Sequence, residues 1–442
     1  MSLFKADRPL TLNSYYAATA PREQHFAPLT GRIECDVAIV GAGLAGLSAA
    51  IELGDRGFSV VLLDAREVGY GASGRNGGEA LTGLGCEMSV IEQQLGRADA
   101  RTVWNTTLEA IELIHERCRR FDIDCDWRPG YLSLAVGERK GRELVRWHEA
   151  MQRDYDFEGT AIAPRDLPQW IASPRFHSGL HDPHSGHMHP LKYCLGLGRA
   201  AAALGVRIFE NSTVVALEPG AKPSAPVRVR TTQGEVTARH VLLAGNVYLQ
   251  GLAPLLEKRI MPVGTYIVTS TALDPGLVQS LIPSRSAVCD TNFVLDYFRT
   301  TNDQRVLYGG RVSYSTRTPG NLAQSMQARM TRTFPQLAGT AIEFAWGGFV
   351  DISMNRAPDF GRLSDVGAGP TCANVYYLQG FSGHGLALTG LAGKVVAEAI
   401  CGDAKRLDVF SRIRHRAFPG GRLLRMPALV LGMAYYRLKD LL

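Results

Sequence analysis

The sequence predicts an α/β protein of two lobes, one built on a parallel sheet and the other on an antiparallel sheet. The 442 residues exceed what one hydrophobic core usually holds, so two lobes are expected. A strand, a glycine turn, a helix and a second strand follow one another within residues 35–63, which is the pattern of a parallel βαβ unit. Between about 260 and 345 short strand-like runs replace this pattern, which favours an antiparallel sheet.

The βαβ unit begins with the apolar run Cys35–Val40, which we predict to be a buried strand. Gly41 ends this strand, and residues 44–55 carry apolar side chains at helical spacing before a second buried strand at 58–63. The other predicted elements are helices at 87–121, 190–204 and 386–401, strands at 131–136, 241–244, 266–269, 293–298, 305–308 and 374–378, and a hairpin that turns at Gln233-Gly234.

The composition, with 45% hydrophobic and 20% charged residues, is that of an ordinary globular enzyme. The net charge of +6 includes no basic block, so we expect no nucleic-acid partner. The eight cysteines form no CxxC pair, and the histidines at 181, 184, 187 and 189 fit no zinc spacing. We therefore expect isolated thiols, no metal and a cytoplasmic location. We find no secretory signal and no bilayer-spanning run, so membrane association is not expected. The oligomeric state stays open.

A dinucleotide-binding motif lies where the first strand gives way to the helix. Gly41-Ala-Gly-Leu-Ala-Gly46 is a GxGxxG sequence. Its first glycine permits the tight turn, its second lets the backbone approach a pyrophosphate, and its third lets the helix pack on the strand. Asp64 ends the second strand, 18 residues after Gly46, where an acid accepts hydrogen bonds from the adenosine ribose and disfavours NADP.

Two more glycine-rich loops distinguish a flavin from NAD. Residues 69–78 are rich in Gly, Ser and Asn, and their N–H groups can surround a ring system. Residues 380–385 run directly into the helix that begins at Leu386, whose N-terminus can stabilise the negative charge of a reduced flavin. An NAD enzyme needs neither loop, and only one nucleotide fingerprint is visible, so we predict FAD as the cofactor.

Seven segments complete a recognisable pattern: Ser14-Tyr-Tyr-Ala-Ala18, Gly71-Ala-Ser-Gly-Arg-Asn-Gly-Gly78, Asp122-Ile-Asp-Cys-Asp126, His187-Met-His-Pro190, Ala244-Gly-Asn246, Phe418-Pro-Gly-Gly-Arg422 and Ala434-Tyr-Tyr-Arg437. With them the chain resembles the D-amino-acid-oxidase-like (DAO) superfamily of flavoproteins, and within it the γ-glutamylputrescine oxidoreductase subgroup. The resemblance implies a glutathione-reductase-type, Rossmann-like FAD-binding domain plus an α+β substrate domain with an antiparallel sheet. Some relatives attach the flavin to His or Cys near residues 73–78, and this loop has neither, so the FAD is expected to be non-covalent.

The resemblance also implies a reaction, the oxidative deamination of a small amine to an aldehyde and ammonia. A γ-glutamylated polyamine such as γ-glutamylputrescine is the favoured substrate, with O2 or another acceptor taking the electrons. Two alternatives stay open. One is a D-amino-acid, glycine or N-methyl-amino-acid oxidase or dehydrogenase, which would need a cation for the substrate carboxylate. The other is a flavin-binding electron-carrier module without a substrate of its own.

Glu79 and His384 are the candidate catalytic residues. Glu79 follows the flavin loop, where a carboxylate would attract an ammonium substrate and help to remove its proton, although Gln is common at this position in the subgroup. The candidate cofactor-binding residues are Gly41, Gly43, Leu44, Ala45, Gly46, Asp64, Ala65, Ser73, Gly74, Arg75, Asn76, Gly77, Gly78, Val214, Ala244, Gly245, Gly380, Gly383, His384, Gly385 and Leu386, of which Val214, Ala244 and Gly245 are implied by the resemblance alone.

The FAD-binding domain is expected to be discontinuous, with the substrate domain inserted between its pieces. The predicted boundaries are an N-terminal extension at 1–32, an FAD-binding domain at 33–85, 186–258 and 346–410, a substrate domain at 86–185 and 259–345, and a C-terminal tail at 411–442.

Overall fold

The computed structural model describes residues 3–223, 225–249, 251–313 and 321–419. Residues 420–442, which include most of the predicted tail and its motif at 434–437, lie outside the described residues. Within the described ranges the strands form two sheets, one of eight strands and one of nine. The predicted mixed α/β class with two sheets is therefore confirmed.

The strands of both sheets are, in chain order, β1 (Gly31–Val40), β2 (Val60–Leu63), β3 (Glu79–Ala80), β4 (Arg128–Ala135), β5 (Thr160–Ile162), β6 (Ser178–His187), β7 (Arg207–Phe209), β8 (Val214–Glu218), β9 (Val227–Thr231), β10 (Gly234–Leu243), β11 (Ile260–Ser270), β12 (Ala287–Asp290), β13 (Tyr297–Thr300), β14 (Val306–Ser313), β15 (Ile342–Ser353), β16 (Asp359–Arg362) and β17 (Val375–Gln379).

The helices of the described residues are α1 (Leu3–Asp7), α2 (Tyr15–Thr19), α3 (Leu44–Asp55), α4 (Met88–Leu95), α5 (Arg97–Arg120), α6 (Glu138–Tyr155), α7 (Pro190–Ala203), α8 (Pro254–Glu257), α9 (Pro275–Leu281), α10 (Leu322–Thr333), α11 (Gly385–Ile400) and α12 (Lys405–Ser411).

The eight-stranded sheet carries the predicted βαβ unit. Its order is β16-β17-β10-β1-β2-β7, with β8 and β9 attached through β10. The four pairings from β17 to β7 are parallel, as the βαβ pattern predicts, and β16 joins the edge in the antiparallel sense. The last four residues of β1 are buried, and all four residues of β2 are buried, because this part of the sheet is covered on both faces.

The nine-stranded sheet has the order β15-β11-β14-β13-β12-β4-β6-β3, with β5 attached to β6. Its pairings are antiparallel except for the parallel pair of β4 and β12. The domain boundaries stay a prediction, and sheet membership departs from them most at two strands, while β6 runs two residues past the boundary at 185. β3 pairs with β6 although residues 33–85 were assigned to the other domain, and β15 pairs with β11 along its length although the boundary was set at 346.

Several predicted elements have different limits in the structure. The single helix predicted at 87–121 is two helices, α4 and α5, because Gly96 between them has a φ of +79°. The strand predicted at 293–298 begins only at Tyr297, and the one predicted at 241–244 is the end of the longer β10. The helix predicted at 44–55 has those same limits.

The eight cysteines are free. The sequence predicted that all of them are isolated thiols, and this prediction is wrong for one pair. The Sγ atoms of Cys118 and Cys125 lie 3.6 Å apart, because the turn after α5 brings the second cysteine back against the end of that helix. Among the described residues no single helix has the length and apolarity of a membrane span; α11 and α12 meet that test only as a pair bent by 118°.

Candidate functional site

The glycine turn between β1 and α3 is closed by backbone packing. Gly41 has a φ of +113°, and a Cβ on it would lie 2.6 Å from the carbonyl oxygen of Ala244. A Cβ on Gly43 would lie 2.6 Å from Oγ of Ser73, and one on Gly46 would overlap the carbonyl oxygen of Gly41. The structure therefore brings the turn together with two of the other predicted cofactor segments, around residues 73 and 244.

Asp64 holds this turn from the end of β2. Its carboxylate accepts hydrogen bonds from the N–H groups of Ala42, at 2.7 Å, and Arg66, at 2.8 Å. Burial raises the pKa of this carboxyl to about 6. Each oxygen receives one of these bonds and can accept another, so the acid suits the predicted contact with ribose hydroxyls. The N–H of Ser212, two residues before the predicted contact Val214, binds the Asp64 carbonyl at 2.7 Å.

The loop at 71–78, called the flavin loop below, is shaped by its own side chains. Asn76 Nδ2 donates to the carbonyl oxygens of Ala72 and Ser73, both at 3.0 Å, and its Oδ1 accepts from the N–H of Gly78 at 2.8 Å. Ser73 Oγ accepts from the N–H of Leu44 at 3.0 Å, which links the loop to the N-terminus of α3. The loop and the glycine turn are thus parts of one surface.

The guanidinium of Arg75 donates its hydrogen bonds to other groups of the protein. It forms a two-pronged ion pair with Asp7, at 2.9 and 2.7 Å, and donates to the carbonyl oxygen of Gly347 and to the Tyr248 hydroxyl. Arg75 is 6% exposed. The contact with the cofactor predicted for this residue would therefore come from its backbone.

Glu79 lies on β3, paired with His187 across the sheet. Its Oε1 is buried and has no hydrogen-bond partner in the described part of the chain. Burial raises the pKa of its carboxyl to about 8, although the positive charge of Arg299 works in the opposite direction. A buried carboxyl oxygen without a hydrogen bond is costly, which marks this position as one shaped for a ligand or for proton transfer.

Arg299 supports the backbone just before Glu79. It is buried and donates to the carbonyl oxygens of Gly77, at 2.8 Å, and Met188, at 3.0 Å. A Cβ on Gly77 would lie 2.6 Å from the ring of Tyr297, so the loop needs a glycine here.

His384 is the residue immediately before α11. Its Nδ1 is buried and has no hydrogen-bond partner among the described residues. Burial, together with the charge of Arg356, lowers the pKa of this imidazole to about 4, so the ring is neutral at pH 7. Asp351 fixes the loop before it, because its carboxylate accepts from the N–H of Gly380 and its carbonyl from the N–H of Ser382.

A cavity of about 960 Å3 opens between the second sheet, α6 and the start of α11. His384 lines it, whereas Glu79 and the glycine turn do not. Its charged lining residues are Glu87, Lys140, Glu143, Asp182 and Arg356, and its large apolar ones include Trp104, Leu144, Trp147, Met151, Phe157 and Phe293. Such a lining, apolar with a few charged groups, is typical of a small-molecule site.

The neighbouring histidines have separate partners. His187 Nε2 lies 2.8 Å from the carbonyl oxygen of Arg285, and His189 Nε2 lies 3.0 Å from Oγ1 of Thr19. His184 Nε2 lies 3.2 Å from Glu158. The rings of His187 and His189 are therefore part of the packing around the site, whereas His184 lies at the surface.

Four residues next to the candidate site have no signal in the sequence that could have identified their role. They are Asp7, Tyr16, Arg299 and Asp351. Each is a single buried residue whose partners are distant in the chain, and only Tyr16 falls within a quoted motif. Pairings of this kind depend on the tertiary fold.

The arrangement fits FAD. The turn can receive a pyrophosphate and Asp64 a ribose. Farther along, Glu79 and His384 each present a buried polar atom without a protein partner, as a site for a ring with hydrogen-bonding edges would.

Comparison with known proteins agrees with this geometry. A family model described as FAD dependent oxidoreductase (DAO) matches residues 36–399. The chain is 41% identical over 429 residues to the gamma-glutamylputrescine oxidoreductase of Escherichia coli K12, covering 97% of this chain and 98% of that protein. It is 37% identical over 434 residues to a probable oxidoreductase, OrdL, of Haemophilus influenzae, covering 97% of both.

Solved structures share the fold. A glycine oxidase from Bacillus cereus matches with a TM-score of 0.69 and 18% identity, covering 86% of this chain and 99% of that one. An L-proline dehydrogenase from P. horikoshii matches with a TM-score of 0.68 and 19% identity, covering 86% of this chain and 96% of that one. These likenesses confirm the predicted fold class.

Proposed function

We propose that this chain, which belongs to the DAO family of FAD-dependent oxidoreductases, oxidises the C–N bond of a γ-glutamylated polyamine such as γ-glutamylputrescine. The products would be an aldehyde and ammonia. The observation that carries the proposal is the 41% identity, over 97% of this chain, to a protein named for that substrate.

When bound, FAD supplies a two-electron acceptor for the C–H bond beside the amine nitrogen. The turn at 41–46 and Asp64 would hold its nucleotide end, and the flavin loop with the start of α11 would hold its ring. Glu79 would receive a proton at Oε1. Its carboxyl is protonated below a pKa of about 8, and an ammonium ion beside it would favour the carboxylate. Binding of the ammonium substrate would thus lower the pKa of Glu79, so that its carboxylate can accept a proton from the substrate.

The cavity supports an elongated substrate that carries both signs of charge. A γ-glutamylated polyamine has a carboxylate and ammonium groups at its two ends. Lys140 and Arg356 provide positive charge in the lining, and Glu87 and Glu143 provide negative charge. Asp182 accepts hydrogen bonds from Thr82 and Ser185, and Lys140, Glu87 and Glu143 likewise have protein partners, so these groups contribute charge to the lining while they stay bonded to the protein.

Arg356 favours a second candidate, the oxidation of an amino acid or N-methyl amino acid. It lines the cavity near enough to His384 to lower the pKa of that imidazole, and its guanidinium lies 4.5 Å from the centroid of the Phe293 ring. A cation here could receive the carboxylate of a short substrate.

Anaerobic flavin reduction separates the candidates. The purified holoprotein is mixed with γ-glutamylputrescine, putrescine, glycine, sarcosine and D-alanine, and bleaching of the flavin absorbance is followed. We expect γ-glutamylputrescine to give the highest second-order rate constant. Faster bleaching by sarcosine or D-alanine would establish the second candidate, and no bleaching by any amine would indicate an electron carrier.

The acceptor and the location are proposed on chemical grounds. We propose that O2 or a quinone reoxidises the flavin, which is tested by adding each to the reduced protein. Eight free cysteines suit a reducing compartment, so we place the protein in the cytoplasm, which cell fractionation tests.

We propose that the FAD is non-covalent, because residues 73–78 include no His or Cys. Acid precipitation should leave the yellow colour in the supernatant. Flavin absorbance in the washed pellet would contradict this.

A further inference from the structure

The N-terminal segment, defined here as residues 3–20, is built into the protein although it precedes the family match at 36–399. Leu3 and Leu10 join the hydrophobic core of the second sheet. Tyr16 and Ala20 pack in a cluster with Trp346. The segment therefore has a fixed place beside the flavin loop.

Asp7 of this segment is the ion-pair partner of the flavin loop. Its carboxylate is fully buried and accepts hydrogen bonds from both Nη atoms of Arg75. The Tyr248 hydroxyl donates to the same carboxylate at 2.8 Å and accepts from Arg75 at 3.1 Å. Removing one member of such a pair leaves the other charge buried without compensation.

Tyr16 contacts the far end of the same loop through Arg299. Its hydroxyl is fully buried and accepts from Arg299 Nη2 at 3.0 Å. The same guanidinium donates to the carbonyl oxygens of Gly77 and Met188. A Cβ on Gly78 would lie 2.7 Å from Arg299 Nη2, so this arginine lies directly against the loop that leads to Glu79.

We propose that the N-terminal segment is a working part of the cofactor site, in which Asp7 positions the start of the flavin loop through Arg75 and Tyr16 positions its end through Arg299. The inference rests on the proposed contact between residues 71–78 and FAD. Both side chains are positioning residues, since each acts through an arginine. FAD retention then depends on residues that the family domain does not include.

The first test is a double-mutant cycle on Asp7 and Arg75. FAD is titrated into apoprotein, and its Kd is measured from flavin fluorescence. We expect Asp7→Asn and Arg75→Gln each to raise the Kd about tenfold, and the double variant to raise it by less than the product of the two. The control is Asp154→Asn, which removes an exposed ion pair with Arg97 and should leave the Kd unchanged.

Tyr16→Phe is a smaller change, and it tests the proposal if Asp7→Asn or Arg75→Gln does not fold. It keeps the ring that packs on Trp346 and removes only the hydroxyl. We expect the FAD Kd to rise about fivefold, while the unfolding midpoint of the apoprotein falls only slightly because one buried hydrogen bond is lost. The control is Tyr155→Phe, which removes a hydroxyl bound to Glu92.

A structural role alone would give the opposite result. Lower apoprotein midpoints in Asp7→Asn and Tyr16→Phe, with FAD Kd values equal to that of the parent protein, would overturn the proposal. The titration contains no amine, so its outcome is independent of the substrate proposed above.

Discussion

The nucleotide end and the amine end of the candidate site are built in different ways. The nucleotide end is made of backbone, with glycines that admit no Cβ and one acid, Asp64, bonded to neighbouring N–H groups. The amine end consists of side chains from distant segments, among them Glu79 and His384, whose pKa values are strongly shifted by burial. The first should therefore respond mainly to changes of shape, with Asp64 as its one titrating group, and the second to changes of pH.

Gly46→Ala should give the largest effect, because the new Cβ would overlap the carbonyl oxygen of Gly41. We expect the free energy of unfolding to fall by about 1–3 kcal/mol and FAD to be absent from the purified protein. Denaturant unfolding and the ratio of flavin to protein absorbance measure this. The matched control is Gly137→Ala, where a Cβ meets no atom within 4 Å. Equal FAD content in both variants would contradict the packing role.

Asp64→Ala should weaken FAD binding without this steric cost. Loss of a charged acceptor is worth about 1.5–3 kcal/mol, or about 10- to 150-fold in Kd. The carboxyl has a pKa of about 6, so the FAD affinity of the parent protein should fall as the pH is lowered through 6. Titration of apoprotein at pH 5 and pH 8 tests both points. An unchanged Kd would show that Asp64 is not the ribose ligand.

Glu79→Gln should change the pH profile at the amine end. We expect the apparent KM for the amine to rise about tenfold at pH 9, where the native carboxyl is ionised, and much less at pH 6, with the flavin spectrum unchanged. Glu158→Gln, which removes an exposed acid that does not line the cavity, is the control. Equal kcat/KM values for parent and Glu79→Gln across this range would rule out the proton-acceptor role.

The same substitution should also affect stability. Burial raises the pKa of Glu79 from 4.5 to about 8, so the neutral form favours the fold. The free energy of unfolding of the parent protein should therefore fall as the pH rises from about 4.5 to about 8 and then level off, and that of Glu79→Gln should fall less. Thermal unfolding at pH 6 and pH 9 measures the difference.

His384→Ala should give the smallest effect, about a fivefold slower flavin reduction by the amine. The imidazole has a pKa of about 4, so its charge is not used near neutral pH. His384→Asn, which keeps a polar side chain at the N-cap position of α11, should be closer to the parent protein. Stopped-flow traces from pH 6 to 8 decide this. A kinetic pKa near 6.5 that disappears in His384→Asn would contradict the neutral ring.

The nucleotide end could be predicted from the sequence because its signals are local. The turn at 41–46, α3 and Asp64 lie within about thirty residues, and each residue's role follows from its place at a strand end or helix start. The structure assigned one predicted contact differently, since the Arg75 side chain binds Asp7. Nothing in the sequence marks that pairing, because the partners are 68 residues apart.

The amine end could be predicted only in part. Glu79 and His384 were identified by their position next to glycine-rich loops, but the cavity depends on how α6 lies across the second sheet. The predicted boundaries could not follow the strand pairing either, because β3 and β15 pair across them. Pairing between distant strands reflects the whole fold rather than a local pattern.

The spacing of the site along the chain has a consequence for biosynthesis. β1 pairs with β10, some two hundred residues later, and β10 pairs with β17, which leads to the loop before α11. A nascent chain that has emerged only as far as Asp64 would expose its glycine turn to water, without the Ala244 carbonyl that closes it. The ribosome must therefore have delivered residues beyond 385 before all parts of the site can meet. FAD would then find a whole site only on chains that extend past this point, and products terminated before residue 385 would remain colourless.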